Sequence, residues 1–169
     1  MKKGIETERK FIVKLPDISS LSKEAEYTVS RILQTYLESE GGVTHRVRRR
    51  ECADHTEFYE TKKTRISTMS AIEEEGMISE DCYTSLLQRK ATGTVTLEKV
   101  RHTVLAGNLT YEFDVYPQWT RTCIMEVELA DEEAELKIPD FIEVVEEVTG
   151  MRAYSNAAMA RIFPKEKDI

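Results

Sequence analysis

Cysteine is scarce in this 169-residue sequence, and the three that occur, Cys52, Cys82 and Cys123, are odd in number and widely spaced. That excludes a disulfide framework or a CxxC metal motif as the organising feature, and the thiols read as reduced and partly buried. Proline and glycine number only four and seven and never concentrate into a linker, and no internal repeat or low-complexity tract divides the chain. One domain over residues 1–169 is the expectation, long enough to bury a core without disulfides. No apolar run approaches the roughly 18 residues that a membrane span needs. The start, Met1-Lys2-Lys3-Gly4, leads straight into Glu6-Thr7-Glu8-Arg9-Lys10 without the apolar stretch of a secretory signal, so a cytoplasmic protein with no membrane role is expected. A basic excess is missing too, and the net charge of −7 argues against a nucleic-acid partner.

What is present is a composition that is 40% hydrophobic and 33% charged, with strand-like segments in the majority. Ile5–Lys14, Val43–Arg50, Glu57–Lys63, Val95–Leu105, Leu109–Tyr116 and Cys123–Leu129 favour β-branched or aromatic residues, and several alternate with period two. Ala106-Gly107-Asn108 reads as a hairpin turn between two of them. Helices are predicted over Ser79–Lys90, over Asp140–Thr149 running into Gly150, and over Ser155–Ile162. Glu24–Glu38 fits two templates: Ala25, Val29, Ile32, Leu33, Tyr36 and Leu37 make a helical face, whereas Tyr27–Leu37 equally makes a strand.

The charges on these strands follow a rule. Residues i and i+2 of a strand share a face, and five like-signed pairs fall at that spacing: Glu6 with Glu8, Arg46 with Arg48, Lys99 with Arg101, Glu112 with Asp114, and Glu126 with Glu128. Any one pair is most simply the wet face of a half-exposed sheet. Like charges on one face repel, however, and solvated faces ordinarily mix signs. The residues between four of these pairs, Val47, Val100, Phe113 and Val127, are apolar. A closed barrel with a polar interior and an apolar outer face against a covering layer satisfies the whole set. A linear polyphosphate suits the basic side chains through charge-assisted hydrogen bonds. The carboxylates would repel it unless Mg²⁺ or Mn²⁺ stood between.

Glu6-Thr7-Glu8-Arg9-Lys10 also matches the ExExK signature of the CYTH superfamily, the triphosphate tunnel metalloenzymes. The resemblance continues in order through Gln34-Thr35-Tyr36-Leu37, Arg46-Val47-Arg48, Thr61-Lys62-Lys63, Glu73-Glu74-Glu75, Glu98-Lys99-Val100-Arg101, Glu112-Phe113-Asp114, Glu126-Val127-Glu128 and Glu147-Val148-Thr149-Gly150 to Tyr154-Ser155-Asn156, covering nearly the whole chain. It implies a mainly β (α+β) fold, an eight-stranded antiparallel barrel forming a tunnel with peripheral helices. It implies a triphosphate substrate held with Mg²⁺ or Mn²⁺. Phosphate contacts then fall to Lys10, Arg46, Arg48, Lys63, Lys99, Arg101 and Arg152, and metal ligation to Glu6, Glu8, Asp114, Glu126 and Glu128, with Glu73, Glu75 and Glu112 extending the acidic wall. The resemblance pairs Lys99 and Tyr36 as a catalytic dyad and favours the strand option around Tyr36.

The chain departs from the family pattern at Ser70-Ala71-Ile72, where short bacterial members often carry an arginine, and at Arg152, which stands for a lysine. A one-residue slip would put Lys62 rather than Lys63 in the tunnel. The implied reaction is metal-assisted attack of water on a terminal phosphorus, with tripolyphosphate as the expected substrate. The alternatives are a class IV adenylyl cyclase, a thiamine triphosphatase and a non-catalytic barrel that binds polyphosphate. The oligomeric state stays open, a homodimer being one outcome.

Overall fold

The structure, a computed structural model, describes residues 1–24 and 26–169. Nine strands form one antiparallel sheet: β1 (Lys2–Lys14), β2 (Glu26–Leu37), β3 (Val43–Glu51), β4 (Thr56–Arg65), β5 (Ser70–Met77), β6 (Leu97–Ala106), β7 (Leu109–Val115), β8 (Thr122–Glu128) and β9 (Val144–Glu147). Their order is β5-β4-β3-β2-β6-β7-β8-β1-β9, and β5 also pairs with β1, so strands β1 to β8 close into an eight-stranded barrel.

Closure rests on the length of β1. Its first half, Lys2–Thr7, pairs with β5, and its second half, Glu8–Lys14, pairs with β8 on the other side. Beyond Thr7 the edge left by β5 is taken over by β9, which pairs with Phe11, Ile12 and Val13. That overturns the helix predicted over Asp140–Thr149. An unpaired barrel edge needs hydrogen-bond partners, and Val144 and Val145 are β-branched residues that suit a strand. The ambiguous segment resolves as β2, with Ala25 of its helical alternative lying outside the described residues.

A second unpredicted strand is β5, whose consecutive glutamates have low strand propensity. Alternation makes it workable: Glu73 and Glu75 line the cavity described below, while Glu74 bonds Lys3 on the outside. Gly107 adopts a positive φ of 65° in the two-residue turn joining β6 to β7, as the sequence predicts. Helix α1 (Ile18–Leu21) is also unpredicted; α2 (Glu80–Leu86) is capped by Ser79, and α3 (Asn156–Met159) by Ser155.

Apolar side chains sit mainly on the outside of the barrel. Phe11, Val13, Phe113, Met125 and Val127 form a buried cluster with Leu21 of α1 and with Leu129 and Ile142 of the segment after β8. Val47 and Leu37 are covered by Tyr83 of α2. A third cluster, Ile12, Tyr36, Leu97, Tyr116 and Ile124 with Tyr154 and Met159, fills one end of the barrel interior, where the C-terminal segment closes it. The rest of the interior is polar.

Candidate active site

The polar interior is a cavity of about 620 Å³. Period-two alternation delivers its walls: Glu6, Glu8 and Lys10 from β1, Arg46 and Arg48 from β3, Lys63 from β4, Glu73 and Glu75 from β5, Arg101 from β6, Glu112 from β7, and Glu126 and Glu128 from β8. Lys63 lines the cavity and Lys62 is exposed, so the register places the former inside.

Beneath the cavity lies a buried ionic cluster. Asp114 is fully buried, and its oxygens accept from Lys99 Nζ at 2.5 Å and from Arg101 Nε and Nη2 at 2.6 and 2.7 Å. Arg101 also donates to Glu112 (2.5 Å) and Glu126 (2.9 Å), and Lys10 Nζ lies 2.9 Å from Glu126. Burial opposes ionisation of Asp114 and Glu126, but Arg101, Lys99 and, for Glu126, Lys10 outweigh it and hold both carboxyls low. Lys99 shares Asp114 with a permanently charged guanidinium. Burial and then Arg101 push its ammonium down to about 8. Asp114, expected to ligate metal, accepts hydrogen bonds on both oxygens and anchors Lys99 and Arg101.

The carboxylates nearer the opening have the opposite character. Glu8 and Glu128 are register partners across β1 and β8. Burial first, then Glu126, pushes the Glu8 carboxyl up to about 7 against the pull of Lys10. Burial, then Glu6 and Glu112, raises Glu128. Burial likewise raises Glu112 despite Arg101. Each of these groups gains from an added cation. The donor set, Glu6, Glu8, Glu112 and Glu128, is all oxygen, the donor chemistry that hard dications such as Mg²⁺ or Mn²⁺ take, and a bound ion would have to draw these carboxylates closer together.

The facing wall is basic, and Arg46 on it is underpaired. Arg48 Nη2 donates to Glu75 at 2.8 Å and its guanidinium lies 5.7 Å from the Tyr59 ring centroid. Burial and Arg46 destabilise the Arg48 charge. Arg46 reaches Glu73 and Glu75 only at 3.6 and 3.9 Å, and its Nε is buried without a hydrogen-bond partner. Lys63 contacts Glu6 and lies 3.5 Å from Glu73. A row of phosphate oxygens would complete these donors.

Two placements differ from expectation. Tyr36 Oη accepts from Gln34 Nε2 at 2.7 Å and Lys99 bonds Asp114, so no hydrogen bond joins Tyr36 to Lys99 among the described residues. Tyr36 is instead the register partner of Arg46. Arg152 is exposed in a short 3₁₀ turn and does not line the cavity. The sequence assigns no role to Gln34, Tyr59, Thr61 and Tyr116, although extending the period-two rule from Tyr36, Lys63 and Asp114 reaches all four.

A family model for the CYTH domain matches residues 4–163. The chain belongs to the CYTH family. Among solved structures, this CYTH chain is similar to the inorganic triphosphatase NE1496, with 27% identity over 94% of this chain and 96% of that one and a TM-score of 0.58. It also shares its fold with PH1819 from Pyrococcus horikoshii, at 19% identity over 76% and 80% of the two chains and a TM-score of 0.59. HpAC1 from Hippeastrum is more distant, at 16% identity over 75% and 81% and a TM-score of 0.50. No curated protein matches the sequence. The CYTH barrel contains no helix long and apolar enough to cross a membrane among the described residues.

Proposed function

We propose that this chain is a divalent-metal-dependent triphosphatase, with inorganic tripolyphosphate as its substrate. The observation that carries the reading is the opposition, inside one cavity, of the Arg46 and Arg48 guanidinium groups, the first with a buried unpartnered nitrogen, to carboxylates held above their ordinary range by burial and then by neighbouring carboxylates. Family membership and the similarity to an inorganic triphosphatase support it. A pure anion-binding barrel would gain nothing from those carboxylates.

Glu6, Glu8 and Glu128, with Glu112, would hold Mg²⁺ or Mn²⁺, whose chemistry there is to neutralise phosphate charge and polarise a P–O bond. Arg46, Arg48 and Lys63 bind the chain of phosphate oxygens, and Arg46 Nε supplies a buried donor that needs an acceptor. Lys10 and Arg101, pinned by Glu126 and Asp114, face the same space as fixed positive charge against the developing charge of the leaving phosphate. Lys99 stays behind them, and its low-lying ammonium sets the field of the floor rather than a direct contact. A carboxylate of the acidic wall would accept the proton of the attacking water.

The test is phosphate release from tripolyphosphate, ATP and thiamine triphosphate, each with Mg²⁺, Mn²⁺ or chelator, alongside detection of cyclic AMP. Metal-dependent release fastest from tripolyphosphate is the expected result. Cyclic AMP as the main product, or undiminished turnover in chelator, would overturn the reading.

A further inference from the structure

The tip of the β3–β4 hairpin gathers a different donor set. Cys52, His55 and Glu57 each offer a ligand atom, and the three atoms lie within 4.8 Å of one another, the one such group among the described residues. We propose that this hairpin is a transition-metal site, in which the Cys52 thiolate, a His55 imidazole nitrogen and a Glu57 carboxylate oxygen hold a borderline-soft dication of the Zn²⁺ class. A sulfur-nitrogen-oxygen set selects such ions, whereas the oxygen-only cavity suits Mg²⁺ or Mn²⁺.

The geometry is local and braced. The Cys52 amide donates to the His55 carbonyl at 2.9 Å, which closes the turn and sets the two ligand-bearing residues side by side. His55 Nδ1 lies 2.6 Å from Asp54 Oδ1 and its Nε2 lies 3.0 Å from Glu57 Oε1. Asp54 therefore does for His55 what an outer carboxylate does for a metal-bound imidazole: it holds the ring by one nitrogen and presents the other. Bond lengths near 2.0 to 2.3 Å in a tetrahedral zinc site put ligand atoms roughly 3–4 Å apart, so small side-chain rotations bring the three donors onto one ion. An ion pair alone would explain His55 beside two carboxylates, but not the thiol at the same point. On binding, the Cys52 thiol and the His55 Nε2–H that faces Glu57 give their protons to solvent, and a water completes the fourth position.

The site is also connected to the cavity. Glu57 accepts from the Tyr59 hydroxyl at 3.1 Å, and Tyr59 lines the cavity beneath the Arg48 guanidinium.

The test uses Co²⁺ as a spectroscopic probe on the full chain in excess Mg²⁺, which keeps the oxygen-only site occupied. A thiolate-to-cobalt charge-transfer band that saturates at one equivalent and is bleached by Zn²⁺ is expected. The band should vanish in Cys52→Ser and in His55→Ala, and persist in Cys82→Ser, with melting temperatures showing all three variants folded. Absence of the band in the folded parent protein would overturn the proposal. So would its persistence in both Cys52→Ser and His55→Ala, and the second variant decides the matter should the first fail to fold.

Discussion

Neighbouring arginines on β3 have opposite surroundings, although nothing in their chemistry distinguishes them. Arg48 lines the cavity beside Arg46 and Tyr59, whereas Arg49 faces outward, 3.1 Å from Glu51. Losing one charge-assisted phosphate contact costs on the order of 2 kcal/mol, roughly a thirtyfold fall in kcat/KM. Arg48→Ala should show that fall with tripolyphosphate, and Arg49→Ala should stay within about twofold of the parent; equal losses in steady-state kinetics would refute the inward assignment. Glu8 supplies a second contrast. Its folded-state pKa of about 7 exceeds the ordinary 4.5, so the metal-free protein loses stability as pH rises through that window, and the penalty is fully present above it. Glu8→Gln should therefore melt a few degrees higher than the parent in chelator at pH 8, corresponding to about 1–3 kcal/mol, while losing metal-supported turnover. A lower melting temperature would show that the Glu8 charge is structural.

At the scale of elements, the C-terminal segment acts as a clasp. Glu166 Oε1 accepts from the backbone amides of Thr120, Arg121 and Thr122 at 3.0, 2.6 and 2.8 Å, and Trp119 Nε1 donates to the Pro164 carbonyl. These bonds tie the tail to the β7–β8 connection and so hold Met159 and Tyr154 in the closed end of the barrel. Burial works against the Glu166 charge, but the three amides prevail and bring its carboxyl down to about 2. A depressed pKa contributes stability that is present above pH 4.5 and disappears as pH falls towards 2. Glu166→Gln should therefore lower the melting temperature at neutral pH, and the difference from the parent should shrink across that acid window. A gap that is constant from pH 7 to pH 2.5 would show that the hydrogen bonds, not the charge, matter.

For the whole molecule, the balance of charge inside the barrel makes ligand and metal interdependent. Tripolyphosphate alone meets carboxylates, and metal alone meets guanidinium groups. Together they neutralise both walls, so their stabilisation should exceed the sum of the separate effects. At a hundredfold excess over Kd, binding to the folded state contributes about 2.7 kcal/mol. That corresponds to roughly 5–10 °C in melting temperature for a chain of this length. The comparison is thermal unfolding with Mg²⁺, with tripolyphosphate in chelator, and with both. An equal shift from tripolyphosphate in chelator would remove the metal from the account.

Which side chains point inward was legible in the sequence, because a strand's period of two is a property of the backbone and needs no neighbours: Glu6 and Glu8, Arg46 and Arg48, Glu126 and Glu128 all line the cavity. A closed barrel accounts for the same pattern, since five like-charged pairs on separate strands are accommodated by one polar interior, and the resemblance supplied its eight strands. Other features depended on partners distant in the chain. Val144–Glu147 is a strand because β5 leaves β1 beyond Thr7 and exposes hydrogen-bonding groups there, which no local signal announces. Ser70–Met77 is a strand despite its glutamates because closing the barrel requires one between β4 and β1. Asp114 and Glu126 belong to the same acidic pattern as Glu8 and Glu128, yet the tertiary structure separates them. Lys99, Arg101 and Lys10 converge on the first two from other strands and leave the second two facing the cavity without enough positive charge. The spacing of residues along a strand determines which face a charge is on, but the strands that fold against it decide whether that charge is already neutralised or still has something to bind.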